Sequence, residues 1–304
     1  MKKLIPLLMA LIFVPTACAL RVELPATDTA TQPPAQDASQ PTTDLQHADL
    51  DALPPEPQKI TFQASDGQAL SGYYYPAAVN PASLVVLMHW ARGNLSDWYE
   101  IAVWLQNRGQ ANPFQSRSGI PWLDSSWFPP LSASQSYGVF LFSFRNCRPF
   151  DAGCPDWTPD LWLLDAQAAM QTALTLPGVD PTRIVAIGSS IGADGAADGC
   201  AWLNEQQAGA CQGALSLSPG GHLGLSYPAV VRQLGQSQPP AAAWCLADEA
   251  EIGICDKAAN AGNPAFRAIK ITGGGHGNYL LRPNLDPLPI QILLDFLVQT
   301  LEEK

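Results

Sequence analysis

From residue 84 onward the apolar positions fall in short unbroken runs separated by stretches of helical spacing, and this rhythm predicts most of the elements. Ahead of it, 59–64 and 69–75, separated by Ser65-Asp66-Gly67, read as the two strands of an opening hairpin. Residues 84–89 form a continuous apolar run ending at His89, as expected of a strand buried on both faces of a mostly parallel sheet, and 138–144 and 183–187 have the same character. Between them, 159–176 carries apolar residues at helical spacing and stops at Pro177-Gly178, which predicts a crossover helix. Further strands are expected at 213–217, 241–247 and 266–272, with a closing helix over 288–301. Strand and helix alternate, so the fold class is α/β, a doubly wound and mostly parallel sheet. No internal repeat is visible. One segment breaks the rhythm: 107–137 holds Pro113, Trp122, Trp127, Phe128, Pro129 and Pro130, and is too long for a routine connection. This aromatic and Pro-rich insertion reads either as a cap over a pocket or as a decorated surface loop.

The beginning of the chain follows different rules. Lys2 and Lys3 precede a short apolar run over 4–14, the pattern of an export signal and not of a spanning helix. Thr16-Ala17-Cys18 resembles a bacterial lipobox, which makes Cys18 the candidate for lipidation and 1–18 the export signal. Ala17-Cys18-Ala19 also fits the small-x-small site of an ordinary signal peptidase, so free secretion is the alternative. Residues 19–58 are rich in Thr, Gln, Pro, Ala and Asp with few aromatics, too little apolar surface to offset ordering entropy, and read as a disordered tether. Setting Cys18 aside leaves six of the seven cysteines, an even number that suits an oxidising compartment. They lie as near neighbours, so pairing Cys147 with Cys154, Cys200 with Cys211 and Cys245 with Cys255 is the economical scheme.

Composition narrows the function classes. The 304 residues are 47% hydrophobic, enough for a substantial core, and only 14% charged. With 27 acidic side chains against 16 Lys plus Arg, the net charge of −11 opposes a phosphate-backbone footprint, and nucleic acid is excluded as an expected partner. Any membrane attachment is expected through the lipid anchor alone.

The sharpest chemical signal is Gly188-Ser189-Ser190-Ile191-Gly192, placed directly after the 183–187 strand and before a helix-compatible stretch at 193–207. A G-x-S-x-G elbow needs that context, because its central serine sits on a strained strand-to-helix turn whose small flanking residues let strand and helix approach. Ser190 is central and becomes the candidate nucleophile. A serine hydroxyl is a poor nucleophile until a base takes its proton, so a histidine must lie downstream. Of the four histidines, His47 falls in the tether, His89 ends an early strand and His222 follows Ser218-Pro219-Gly220-Gly221. His276 alone sits in a glycine loop, 273–277, after the last expected strand, and is the candidate base. The carboxylate that would orient it belongs between serine and histidine in chain order, past a strand end, where 245–251 offers Asp248 and Glu251. A Cys245–Cys255 bridge would close that acidic turn. Neither an HExxH motif nor a set of clustered His and Cys ligands appears, so no metal or other cofactor is expected.

Taken in order, Val179-Asp180-Pro181 with Arg183-Ile184, the elbow 188–192, Leu217-Ser218-Pro219-Gly220 and Gly274-Gly275-His276-Gly277 resemble the dienelactone-hydrolase-like branch of the α/β-hydrolase superfamily. The similarity covers roughly 59–302, which marks 59–304 as the catalytic domain with the 107–137 insertion inside it. The elbow holds serine where a dienelactone hydrolase itself holds cysteine. The resemblance implies the α/β-hydrolase fold and a hydrolytic triad of Ser190, an acid in 248–251, and His276. An acid turn of the shape Ala-Ser-Glu-Gly-Asp, laid on 247–251, puts the acid at Glu251, with Asp248 as the alternative. Acyl hydrolysis also needs donors for the developing oxyanion. Ile191 N–H, next after the nucleophile, is one; the loop His89-Trp90-Ala91, resembling the family's His-Gly-x stretch with Trp90 in place of Gly, supplies the other, from Trp90 N–H or alternatively Ala91 N–H. The expected activity is cleavage of carboxylic esters or related acyl bonds in a small-molecule substrate. A serine peptidase on the same fold and a noncatalytic surface-anchored binding protein are the alternatives.

Overall fold

The structure, a computed structural model, describes residues 53–114, 124–147, 154 and 158–302. The export signal with Cys18, the tether up to residue 52 and residues 115–123 of the insertion lie outside the described residues.

Eight strands form one sheet: β1 (Gln58–Gln63), β2 (Ala69–Tyr75), β3 (Ala82–Met88), β4 (Gly138–Phe142), β5 (Val179–Ser189), β6 (Cys211–Leu217), β7 (Ala242–Asp248) and β8 (Phe266–Ile271). Their spatial order is β1-β2-β4-β3-β5-β6-β7-β8. The β1–β2 hairpin and the β2–β4 pair are antiparallel, and every pair from β4 to β8 is parallel. The connecting helices are α1 (Tyr99–Gln106), α2 (Pro159–Ala173), α3 (Ile191–Gln206), α4 (Tyr227–Gln236), α5 (Gly253–Ala259) and α6 (Pro289–Leu297), the last running on into a π-helical turn at Val298–Glu302.

Helices cover both faces, and this explains the unbroken apolar runs. On β3, Leu84, Val86 and Met88 join one core with Trp162, Ala166 and Met170 of α2 and Ala196, Ala197 and Cys200 of α3. Val85 and Leu87 point the other way, into a core shared with Ile101 and Leu105 of α1 and Leu293 and Phe296 of α6. A strand of this kind has no wet face to mark with polar residues. Each such Leu, Val or Phe side chain, removed from water, contributes about 1.5–3 kcal/mol against the entropy of ordering the chain.

Several boundaries differ from the hydrophobic pattern for identifiable reasons. The strand expected over 138–144 ends at Phe142, because beyond Ser143, whose N–H still reaches Ser71 O (3.4 Å), the amides turn to side chains: Phe144 N–H donates to His89 Nε2 (3.1 Å) and Arg145 N–H to Asp165 Oδ2 (2.8 Å). The strand expected over 84–89 starts at Ala82 and stops before His89. Helices α1, α4 and α5 were not among the expected elements. The signal for α4 was present, with Tyr227, Val230, Val231 and Leu234 buried at helical spacing and Pro228 in the first turn. The other two are short, and seven or eight residues show too little of a 3.6-residue period.

The insertion leaves the C-terminal end of α1 and re-enters at the N-terminal end of β4, the sheet edge opposite the C-terminal ends of the parallel strands. Trp104 Nε1–H donates to Pro129 O (2.8 Å), Asn107 Nδ2–H to Ser132 O and Gln135 O, and the Phe114 ring lies against Tyr73 and Tyr99. The Tyr137 hydroxyl meets Glu302. Together with α1, the described part of the insertion walls a cleft of 570 Å³ at that edge. Among the described residues no helix is long and apolar enough to cross a membrane.

Candidate active site

Six chain turns leave the C-terminal edge of the parallel strands, after β3, β4, β5, β6, β7 and β8. The β5–α3 turn is the elbow. Its centre, Ser190, has φ 55° and ψ −119°, a left-handed backbone that a residue bearing a side chain avoids unless its surroundings enforce it. They do so through Ser190 N–H, which donates to Leu217 O (2.7 Å), and Ser190 O, which accepts from Ala193 N–H (2.9 Å) to open the helix. The flanking glycines allow the sharpness of the bend: a Cβ on Gly192 would lie 2.3 Å from Met88 O, and one on Gly188 would lie 1.8 Å from Gly192 O.

This turn aims the Ser190 hydroxyl at the loop after β8, where Oγ lies 2.7 Å from His276 Nε2. On the far side of the ring, His276 Nδ1 lies 2.8 and 3.0 Å from the two oxygens of Glu251, in the turn after β7. Residues 190, 251 and 276, far apart in the chain, form a single line of hydrogen bonds. The partners assign the proton to Nδ1, facing the carboxylate, and leave the Nε2 lone pair facing the serine. An imidazole so held can take a hydroxyl proton while the carboxylate stabilises the resulting cation. Ser190 is 8% exposed, whereas His276 and Glu251 keep over a third of their side-chain surface in water, so the hydroxyl is the drier end of the line.

Asp248 sits elsewhere. Its Oδ1 accepts Ala250 N–H (2.9 Å) and its Oδ2 accepts Gly275 N–H (3.1 Å), so both oxygens hold backbone and the structure gives neither to the imidazole. Donation from Ala250 N–H holds its carboxyl below the usual aspartate range. The turn is closed by the Cys245–Cys255 disulfide, and Cys147–Cys154 and Cys200–Cys211 are also bonded.

The candidate oxyanion donors come from two loops. Ile191 is the first residue of α3, and its N–H has no acceptor within the helix. In the loop after β3, Trp90 O accepts from both His89 Nδ1–H (2.8 Å) and Gly93 N–H (3.1 Å), which fixes the plane of the Trp90–Ala91 peptide. Ala91 N–H has no acceptor among the described residues. The Trp90 side chain is buried, donates Nε1–H to Asp97 Oδ2 (3.0 Å) and packs edge-on against Tyr279, so it walls the β3 loop off from the histidine loop. His89 is fully buried between a carbonyl and the Phe144 amide, and burial lowers its pKa to about 4. Its ring lies near the sulfurs of Cys147 and Cys154, but those sulfurs are bonded to each other and offer no thiolate to a metal.

Three residues of this edge were not legible in the sequence. Asp97, seven residues beyond Trp90, is buried and holds the indole. Asp194 in the first turn of α3 is buried and accepts N–H groups from Gly220, Gly221 and His222, tying the loop after β6 to the elbow helix. Ser218 has φ 53° and accepts Gly277 N–H on its hydroxyl (3.1 Å). Only the block 217–220 stood out as a motif, and it carried no sign of where the hydroxyl would point.

No protein-family model matches the chain. It is 24% identical over 144 residues to YfhR of Escherichia coli K12, a protein described as uncharacterized, in a match covering 44% of this chain and 38% of YfhR. The Salmonella typhi YfhR is 26% identical over 143 residues, covering 46% and 39%. The chain thus spans about two fifths of the length of the curated relatives it matches. Solved structures align far more widely. A hyperthermophilic esterase from Pyrobaculum calidifontis superposes with a TM-score of 0.56 at 14% identity, over 82% of this chain and 85% of its own. The metagenomic thermostable carboxylesterase EstE1 does so with 0.55 at 14%, over 81% and 90%, and the Pyrococcus furiosus esterase Pf2001 with 0.53 at 15%, over 81% and 93%. The fold is that of the α/β-hydrolases.

Proposed function

We propose that this chain is an exported serine hydrolase that cleaves carboxylic esters or related acyl bonds through an acyl-enzyme. The observation that carries the reading is the line from Ser190 Oγ through His276 to Glu251, built on a strained elbow at the C-terminal edge of the sheet. Ser190 Oγ attacks the acyl carbon as His276 Nε2 takes its proton. The tetrahedral oxyanion is received by Ile191 N–H and by the Trp90–Ala91 turn, through Trp90 N–H or alternatively Ala91 N–H. Glu251 keeps the imidazole in register and stabilises its cation, and His276 then protonates the departing alcohol. A water, activated by the same nitrogen, releases the acid from Ser190. The esterase names of the structural neighbours and the dienelactone-hydrolase-like motifs support the substrate class. Export with lipid on Cys18 belongs to the same reading, supported by Lys2-Lys3, the apolar run that follows and the three disulfides.

The test is a fluorophosphonate probe combined with a panel of esters differing in acyl chain and alcohol. Covalent label on Ser190 and turnover of at least one ester are expected, both abolished in Ser190→Ala. A folded wild-type protein that neither labels nor turns over any ester of the panel overturns the reading.

A further inference from the structure

The loop that carries His276 is the least self-supporting part of the site. Four of its five residues are glycine, and Gly273, Gly275 and Gly277 have φ of 68°, 74° and 63°. Such a segment loses more conformational freedom on ordering than any other composition, and its four glycines bring no side chain to hold it. Yet the imidazole it presents must stay within hydrogen-bond reach of Ser190 and Glu251 at once.

The restraint comes from outside the loop. Arg282 donates to the carbonyls of Gly273 (2.7 Å) and Gly274 (3.0 Å). Asp248, the last residue of β7, accepts the N–H of Gly275, immediately before the histidine. Ser218, the first residue past β6, accepts the N–H of Gly277, immediately after it. Both acceptors are buried, and both are themselves fixed: Asp248 by Ala250 N–H, Ser218 through its own N–H on Leu246 O (2.8 Å). Ser218 holds a left-handed φ of 53° although it is not a glycine. A glycine would take that backbone more easily, so the strain points to a use for the side chain, and the contact its hydroxyl makes is with the histidine loop.

We propose that Ser218 and Asp248 are positioning residues that grip the backbone on either side of His276 and so set the seat of the imidazole. Asp248 acts on the loop backbone beside the histidine, through Gly275 N–H, whereas Glu251 acts on its ring. This inference rests on the hydrolase reading for its effect on rate, and its geometry can be tested without that reading.

The experiment compares Ser218→Gly, which accepts the φ but removes the hydroxyl, with Asp248→Asn, which keeps the shape but turns one acceptor oxygen into a donor. Two readouts are taken on each folded variant: ester kinetics, and the downfield proton resonance of His276 Nδ1, identified by its loss in His276→Ala. Expected are a fall in kcat of roughly 10- to 100-fold with KM little changed, and a resonance that broadens or moves upfield. In Ser218→Gly the thermal midpoint should hold while kcat falls, a split that a purely structural role would not produce. A resonance at its wild-type position in both variants overturns the proposal, whatever happens to kcat. If the resonance moves but the wild-type protein turns over no ester, the grip stands and the hydrolase reading falls.

Discussion

His276 and His89 stand on neighbouring loops of one sheet edge and behave as opposites. His276 keeps 39% of its side-chain surface exposed and lies between a carboxylate and a hydroxyl. His89 is fully buried and lies between a backbone carbonyl and a backbone amide. The first environment offers the imidazolium a counter-charge and a proton donor; the second offers neither, and burial holds His89 neutral with a pKa of about 4. Two identical side chains therefore divide into a candidate proton carrier and a structural strut that fixes the Trp90 carbonyl. The residue type does not decide which is which. The partners and the access of water do.

The comparison can be broken most forcefully at its candidate proton carrier. Ser190→Ala and His276→Ala should each lower ester turnover by at least about 10³-fold while thermal midpoints stay near wild type. His89→Asn should do the reverse, costing stability with a much smaller loss of turnover. Steady-state kinetics beside thermal melts separates the two, and equal activity losses in His89→Asn and His276→Ala would erase the distinction.

The acids sharpen the same contrast one step out. Glu251→Gln removes the counter-charge on the ring and should cost about 10²- to 10⁴-fold in kcat, more than Asp248→Asn, which disturbs only the loop's backbone. Turnover of the two variants, each checked for native folding, decides the order. A larger loss in Asp248→Asn would move the orienting role away from Glu251.

For His89 the pH dependence has a definite sign. Its pKa falls from 6.5 to about 4 on folding, so between those values the unfolded chain binds the proton that the folded chain refuses. This contribution is fully present above pH 6.5 and is lost as the pH drops toward 4, for a total of about 3 kcal/mol. Urea midpoints measured from pH 7 to 4.5 should therefore fall more steeply in the wild type than in His89→Asn. Parallel slopes would mean that His89 is charged in the folded protein.

The smallest effect is expected at the acid turn. The Cys245–Cys255 bridge closes a loop with a sequence separation of 10, and replacing both cysteines by serine should cost about 2 kcal/mol of stability. Differential calorimetry with ester kinetics on the same variant would show whether the bridge also steadies Glu251, in which case kcat falls with the melting temperature.

The hydrophobic runs alone determined the sheet, because strands covered on both faces carry no polar alternation, and this is also why 84–89 and 183–187 stood out. The elbow was legible for the same local reason: two glycines around a serine describe a bend that only small residues permit. Ser190 and His276 could be named from the elbow and chain order, since strand ends bring those turns to one edge, while the acid was narrowed to Asp248 or Glu251 and only the family resemblance implied Glu251. The choice of Glu251 over Asp248 on the ring was made by the tertiary structure, which points the two carboxylates of one turn at different groups, His276 Nδ1 and Gly275 N–H. Ser218 and Asp97 were invisible for a related reason. Their roles depend on contacts between chain segments remote in sequence, and a side chain's direction at a loop carries no periodic trace. Helices α1 and α5 stayed hidden because eight and seven residues give only about two turns of the period that would reveal them, and packing against the sheet, not propensity, holds them.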